Sequence, residues 1–222
     1  MLCINATMAN MDLSNHNRYV LASNNPAKLN EIMPMFCEAG LVLSSPADWG
    51  VALAPVESGS TYIENSRIKA METYKALKDA GCCFRAVFAD DSGLEVDALG
   101  GLPGVHSASF LGEDASYETR NMRIMKEVEN KSRAAVFVAV ITCVFECGTT
   151  EVFRGQVAGQ VAESLSGTGG FGYDPIFYLP ELGKTMAELT LTEKNQISHR
   201  GLATRQLIRR LYENSFGERH PR

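Results

Sequence analysis

The sequence predicts an α/β domain built around a mixed β-sheet with flanking helices. Strand-and-helix units occupy the first half, beginning with an apolar run at 19–22. Two long strand patterns follow at 134–145 and 151–161, separated by the turn Gly148-Thr149-Thr150. Strand–helix alternation favours parallel neighbours, whereas a hairpin makes antiparallel ones, so the sheet should contain both kinds.

The first helix has clear start and stop signals. Asn25 is a suitable N-cap and Pro26 a suitable first helical residue. Pro34 lies inside the helical pattern and is expected to kink or shorten the helix. Gly40 should end it, and 41–43 is expected to be a short strand.

A second helix is predicted from the capping box at 61–64, with Gly81 just beyond its end. The apolar run 82–89 then indicates a buried strand. Gly93 is expected to end that strand as a turn, and 94–96 to form another short strand.

In the second half, a helical pattern at 117–128 precedes the hairpin. A Gly-rich loop at 166–175 follows the hairpin and leads to the short apolar run 176–178. The chain closes with a helix predicted from about 198 to 214.

Composition narrows the class of protein. The 222 residues are 45% apolar, enough for one domain or one domain with two lobes. A net charge of −5 argues against nucleic acid and anionic membranes as partners, and no apolar run reaches the ~18 residues of a membrane span. The six cysteines form no C-x-x-C pair, which favours free thiols in a reducing cytoplasm. We interpret 1–17 as a flexible extension, 18–215 as the folded domain and 216–222 as a tail.

Asp90 and Asp91 are the most informative pair, because they directly follow the apolar run Ala86-Val87-Phe88-Ala89. Adjacent carboxylates at the tip of a buried strand repel each other and lose water, which costs free energy unless a cation or donor compensates. Mg²⁺ suits them, since it prefers one or two carboxylates completed by substrate phosphates. The alternative is a solvated turn with aspartate as turn former.

The loop between the first strand and first helix is a candidate phosphate site. A strand-to-helix turn presents free N–H groups and the positive end of a helix dipole, and a lysine adds charge. An ordinary capped loop with a solvated lysine is the alternative. The candidate residues are Ser23, Asn24, Asn25, Pro26, Ala27 and Lys28.

Residues 167–172 match G-x-G-x-x-G, but a dinucleotide-binding turn must open a helix. Pro175 disfavours a helical Asp174, so we reject that interpretation. A flexible loop carrying Phe171 and Tyr173 suits a base-binding lid, because an aromatic face stacks on a purine. A structural loop with buried aromatics is the alternative.

Basic residues cluster near the last helix: Lys194, His199 and Arg200. Their donors could read a base carbonyl or pair with phosphate, unless they are simply solvated. Glu57 is a lone acid before the second helix, and by itself indicates only an exposed residue.

Together these segments resemble the inosine triphosphate pyrophosphatase family, also called dITP/XTP pyrophosphatases, in order and spacing over roughly 19–212. The matching motifs are Leu21-Ala22-Ser23-Asn24-Asn25 with Lys28, Tyr62-Ile63-Glu64-Asn65, Ala89-Asp90-Asp91-Ser92-Gly93-Leu94, Gly100-Gly101-Leu102-Pro103-Gly104, Gly167 to Pro175, and Ile197-Ser198-His199-Arg200-Gly201.

The resemblance implies an elongated α/β fold with two lobes around a central cleft. It implies a cytoplasmic, Mg²⁺-dependent homodimer that hydrolyses ITP, dITP and XTP to the monophosphate and pyrophosphate, keeping these nucleotides out of DNA and RNA. By position, Asp91 is the implied proton acceptor and a metal ligand, Glu57 a second ligand and Asp90 a supporting carboxylate. The implied substrate-binding residues are Ser23 to Lys28, Ser92, Phe171, Gly172, Tyr173, Asp174, Lys194, His199 and Arg200.

Two other functions stay open at this point. One is a pyrophosphatase for other modified nucleotides, such as methylated ones. The other is a nucleotide sensor without turnover, although a pure binder needs no metal-centred acid pair. Arg200 is expected to donate to O6 of the base, which adenine lacks; guanine shares O6, so its exclusion must arise near the 2-position.

Overall fold

A computed structural model describes residues 18–52, 55 and 57–216, with the side chains of 215 and 216 left aside. The predicted extension 1–17 lies outside these residues, as does the predicted tail 216–222 except for Phe216, which ends the last helix. The helices are Pro26–Glu38 (α1), Tyr62–Asp79 (α2), Tyr117–Glu127 (α3), Leu191–Ile197 (α4) and His199–Phe216 (α5). The strands are Arg18–Leu21 (β1), Val42–Ser44 (β2), Ala86–Val96 (β3), Ala134–Phe145 (β4), Thr150–Val161 (β5), Phe177–Leu179 (β6) and Lys184–Thr185 (β7).

These strands form one mixed sheet in the order β2-β1-β3-β4-β5-β6-β7. The pairs β1–β2 and β1–β3 are parallel, and the remaining pairs are antiparallel. The predicted mixed-sheet α/β class is therefore confirmed, while the two-lobed cleft stays a prediction. Of the helices in the described residues, none is long and apolar enough to cross a membrane.

The helices cover both faces of the sheet, and strand alternation decides which side chains meet them. On one face Phe88 packs with Phe36 of α1 and Leu207 of α5. On the other, Val87 packs with Leu77 of α2. A third apolar cluster joins the far half of β3 and β4 to α3 and the Gly-rich loop. Residues of the second and third of these clusters also line the polar cleft described below.

The helix caps are confirmed. The Asn25 side chain accepts hydrogen bonds from the N–H groups of Ala27 and Lys28, and the capping box of α2 forms between Thr61 and Glu64. Gly81 follows α2 with a φ of +70°, the left-handed conformation that glycine favours.

Of the two effects predicted for Pro34, shortening of α1 is wrong, because α1 continues to Glu38, and a kink stays a prediction. The missing N–H of Pro34 would release the carbonyl of Asn30, an exposed residue for which water can serve as partner. Buried Ile32 and Phe36 hold the helix on the sheet across this position.

The turn predicted at Gly93 is also wrong. β3 runs without interruption from Ala86 to Val96, because β4 offers a partner to every one of its residues. Gly93 is needed for a close approach instead: a Cβ there would lie 2.2 Å from the carbonyl oxygen of Gly104 and 2.6 Å from Ser107 Oγ.

Candidate active site

The candidate site lies where β1 stops and β3 continues. The parallel pairing ends at Leu21 opposite Phe88, so Asp90 and Asp91 keep only β4 as a neighbour in the sheet. A cleft of about 380 Å³ opens beside them. Both carboxylates line it, together with the loop after β1 and the start of α5.

Asp90 and Asp91 point to opposite faces of the sheet, since successive side chains of a strand alternate. Asp90 shares the face of Phe88, covered by α1 and α5, and Asp91 shares that of Val87, covered by α2. The expected repulsion within an acid pair at a turn is therefore wrong. Each carboxylate has its own cations.

Asp90 belongs to a chain of six charged side chains, five of them buried and Lys28 part-exposed, which we call the ion-pair chain. Its members, in order of contact, are Lys28, Asp90, Arg200, Glu31, Lys194 and Asp174. Acids and bases alternate, so the formal charges cancel. Asp90 Oδ2 lies 2.8 Å from Lys28 Nζ and 3.2 Å from Arg200 Nε. Buried ions keep their charge only when paired in this way.

Burial and pairing compete along the ion-pair chain. Burial alone would raise the pKa of Asp90, but Arg200 and Lys28 hold that pKa well below its usual range. The same balance lowers the pKa of Glu31, through Arg200 and Lys194. Burial dominates at Asp174, whose pKa is raised.

Asp91 has a different environment. Its Oδ1 accepts from Lys69 Nζ at 2.8 Å, and the same ammonium donates to Glu57 Oε2 at 3.0 Å. The second oxygen, Asp91 Oδ2, is buried and has no hydrogen-bond partner among the described residues. Burial raises the pKa of Asp91 and outweighs the opposing effect of Lys69. Asp91 therefore has both a free lone pair and an increased affinity for protons.

These two carboxylates fit a magnesium ion that is completed by substrate. Glu57 is part-exposed, Asp91 has one unused oxygen, and Mg²⁺ takes few protein carboxylates alongside phosphates and water. Within the described residues there is no group of three or more acidic, histidine or cysteine side chains that could hold a metal alone.

The predicted phosphate loop lies at the mouth of the cleft. Ser23, Asn24, Asn25 and Lys28 line it, whereas Pro26 and Ala27 do not. Because the Asn25 side chain already accepts from the N–H groups of Ala27 and Lys28, an anion there would meet the ammonium of Lys28, which is part-exposed and also pairs with Asp90.

The Gly-rich loop closes the other end of the cleft, where all four predicted residues line it: Phe171, Gly172, Tyr173 and Asp174. The Asp174 carboxylate accepts from the N–H of Phe171 at 2.7 Å. The Phe171 ring lies near the cations of Lys194 and Arg200, 5.3 and 5.2 Å from its centroid. Tyr173 is buried, and its hydroxyl donates to the carbonyl of Ser107. Phe171 is thus the better placed aromatic for stacking on a base.

The basic residues near the last helix are not solvated. Lys194, His199 and Arg200 are each at most 4% exposed. His199 stacks on Phe137 with ring centroids 4.6 Å apart, and burial lowers its pKa well below 6.5, so it is neutral. Arg200 also donates from Nη2 to Ser92 Oγ at 2.7 Å.

Sequence reasoning missed two site residues, Glu31 and Lys69. Glu31 lies three positions after Lys28 and therefore on the same side of α1, which was an available signal. Lys69 lies on the buried face of α2 beside Ala70, where a charge is unexpected. Its pKa is raised, because Asp91 and Glu57 outweigh burial.

Comparison with known proteins identifies similar chains. A family model described as the Ham1 family matches residues 19–210. A dITP/XTP pyrophosphatase of Clostridium perfringens is 42% identical over 86% of this chain and 95% of its own length. One of Geobacillus kaustophilus is 43% identical over 85% and 91%. The structure of the Staphylococcus aureus Ham1 protein has a TM-score of 0.77 and 39% identity, covering 89% of this chain and 99% of that one.

Proposed function

Because this chain belongs to the Ham1 family, we propose that it is a nucleoside triphosphate pyrophosphatase acting on the deaminated purine nucleotides ITP, dITP and XTP. Water cleaves the bond between the α- and β-phosphates, releasing the nucleoside monophosphate and pyrophosphate. Such an enzyme keeps these nucleotides out of DNA and RNA.

The observation that carries the proposal is the free buried oxygen of Asp91, beside Glu57 and close to a loop suited to phosphate. Asp91 Oδ2 accepts a proton from the attacking water, which its raised pKa favours. Lys69 orients Asp91 through Oδ1 and leaves Oδ2 to the reaction.

Glu57 and Asp91 are the residues that would hold Mg²⁺. When bound, the ion supplies charge neutralisation at the phosphate oxygens. Lys28 and the residues Ser23 to Asn25 hold the triphosphate, and Ser92 lies beside them. The base end consists of the Phe171 loop, His199 and Arg200, which line the cleft, together with Lys194. Lys194 does not line the cleft, and neither does Glu31, which is now included because it pairs with both Lys194 and Arg200. The proposal includes a homodimer in the cytoplasm.

The test is product analysis with ITP, dITP and XTP. With Mg²⁺ the purified protein should release pyrophosphate rather than orthophosphate, and EDTA should stop the release. Asp91→Asn is the matched inactive control. Orthophosphate as the primary product would contradict the proposal, and binding without turnover would favour a nucleotide sensor.

A further inference from the structure

Helix α3 contributes one residue to the wall of the cleft and carries two buried polar side chains behind it, although it belongs to none of the predicted motifs. Tyr117 lines the cleft. Arg120 and Asn121 are only 3% and 2% exposed. Arg120 donates to the carbonyl oxygens of Phe110 and Gly112 at 2.7 and 2.8 Å. This buried polar face therefore holds a neighbouring loop in place through its backbone.

Asn121 holds the Gly-rich loop in the same manner. Its Nδ2 donates to the carbonyl oxygen of Gly172 at 3.1 Å. Its Oδ1 is buried and has no hydrogen-bond partner among the described residues. A buried amide with an unused acceptor disfavours folding relative to an apolar side chain. Packing alone therefore does not favour asparagine here, and the bond to Gly172 is its specific contribution.

The backbone of the Phe171–Gly172 turn is held by hydrogen bonds on both sides, in addition to the bond that the N–H of Asp174 donates to the carbonyl of Phe171 at 3.2 Å. The N–H of Phe171 donates to the Asp174 carboxylate, and the carbonyl of Gly172 accepts from Asn121. Gly172 has a φ of +68°, so the chain turns sharply between these bonds. The direction in which the Phe171 ring faces depends on both.

We propose that Asn121 is a positioning residue for the purine base: it holds the Phe171–Gly172 turn so that the Phe171 ring faces the bound nucleotide. This rests on the proposed function, because it requires a purine nucleotide with its base toward Phe171. Asn121 does not line the cleft, so it acts through the loop and touches no substrate. Its effect is therefore expected on binding of the base rather than on the chemistry at Asp91.

The test compares the two ends of the substrate. Asn121→Asp nearly preserves the side-chain volume but turns a carboxylate oxygen toward the carbonyl of Gly172. By isothermal titration calorimetry we expect the Kd for IMP to rise about 10- to 100-fold, the scale of a lost stacking contact. The Kd for inorganic tripolyphosphate should stay within about twofold. The KM for ITP should rise by a similar factor to the Kd for IMP, while kcat changes by less than about threefold.

Two further variants separate positioning from folding. Asn121→Gln keeps the donor and should recover part of the IMP affinity. Met122→Ala, at the exposed neighbouring position, is the matched control and should bind IMP like the wild type. If Asn121→Asp does not fold, Gly172→Ala strains the same turn from the loop side, where a Cβ would meet only Tyr117 at ordinary contact distance, and the same selective loss is expected.

An Asn121→Asp protein that is less stable but binds IMP as tightly as the wild type would overturn the inference. Equal losses for IMP and tripolyphosphate would overturn it too, because the effect would then not be confined to the base end. If the wild type itself neither binds IMP nor turns over ITP, the proposed function fails first and takes this inference with it.

Discussion

Asp90 and Asp91 are neighbours in β3, but they lie on opposite faces of the sheet in different environments. Asp90 lines the cleft but is only 1% exposed, and it is paired with Lys28 and Arg200. Asp91 lies on a face that reaches solvent through Glu57, and it shares one lysine with that residue. Their pKa values move apart for this reason: that of Asp90 is lowered by its cations and that of Asp91 is raised by burial.

Because their pKa values and partners differ, Asp90 and Asp91 are suited to different roles. Asp90 holds cations in place, because its charge is already neutralised and its pKa makes it a poor proton acceptor. Each carboxylate has one buried oxygen without a hydrogen-bond partner among the described residues, but only Asp91 combines it with the higher proton affinity that a base needs. Environment rather than residue type therefore decides which carboxylate can react.

The largest effect is expected for a substitution of Asp91, on kcat. Asp91→Asn nearly preserves the volume but removes the base and one metal ligand, so we expect kcat to fall roughly 10²- to 10⁴-fold. Circular dichroism and the melting temperature should stay close to wild type, since only Lys69 loses part of its pairing. A folded variant that keeps most of its activity would transfer the role elsewhere, to Asp90 first.

A substitution of Asp90 should lower the free energy of unfolding more than it changes the chemical step. Asp90→Asn leaves Lys28 and Arg200 buried with less negative charge, and breaking a buried pair costs about 3–5 kcal/mol. Urea unfolding of Asp90→Asn and Asp91→Asn, measured side by side, checks this. Equal stability of the two variants would contradict the division of tasks between the faces.

A smaller effect is expected for Arg200, and it tests whether this member of the ion-pair chain also hydrogen-bonds to the base. Arg200→Ala should lower kcat/KM for ITP and reduce the ratio of kcat/KM for ITP to that for ATP. The preference for ITP should lose about 1–3 kcal/mol, because ATP has no O6 to accept from arginine. Arg200→Lys is the control that keeps the charge and loses the planar donor set. Equal losses for ITP and ATP would assign Arg200 to phosphate binding, and base reading would pass to Lys194, His199 or the Phe171 loop.

The smallest effect is in the pH dependence. The pKa of Asp91 is raised above the 3.8 of a free aspartate, so activity should begin to fall on acidification while Asp90 and Glu31, with lowered pKa values, remain ionised. The stability that Asp90 and Glu31 contribute is present above their unfolded pKa values and is lost only as the pH falls through their lower folded values. The acid limb of kcat/KM should therefore lie at a higher pH than acid unfolding followed by circular dichroism.

Asp91→Asn is the control for the acid limb of kcat/KM. The pH profile of its residual activity should lack that limb. Loss of activity and of fold at one common pH would show that the ion-pair chain, not Asp91, limits the enzyme at low pH.

Local signals accounted for most of the fold. The caps at Asn25 and Thr61, the glycine after α2 and the long apolar runs of the hairpin each act within a few residues, and each is confirmed. Helix α4, seven residues long, was missed, because so short a segment carries little periodic signal.

The sequence by itself determined the class of fold, the presence of an acid pair after a buried strand and the motifs that pointed to the family. Only the tertiary structure decided that β3 passes through Gly93, because its length depends on pairing with β4. That continuity sends Asp90 and Asp91 to opposite faces. The preceding helix α2 supplies Lys69 to Asp91, and α5, distant in the chain, supplies Arg200 to Asp90. Contacts such as Lys194 with Glu31 join residues 163 positions apart, and no local pattern encodes them. They form because burying each charge is unfavourable unless the fold brings it an opposite one.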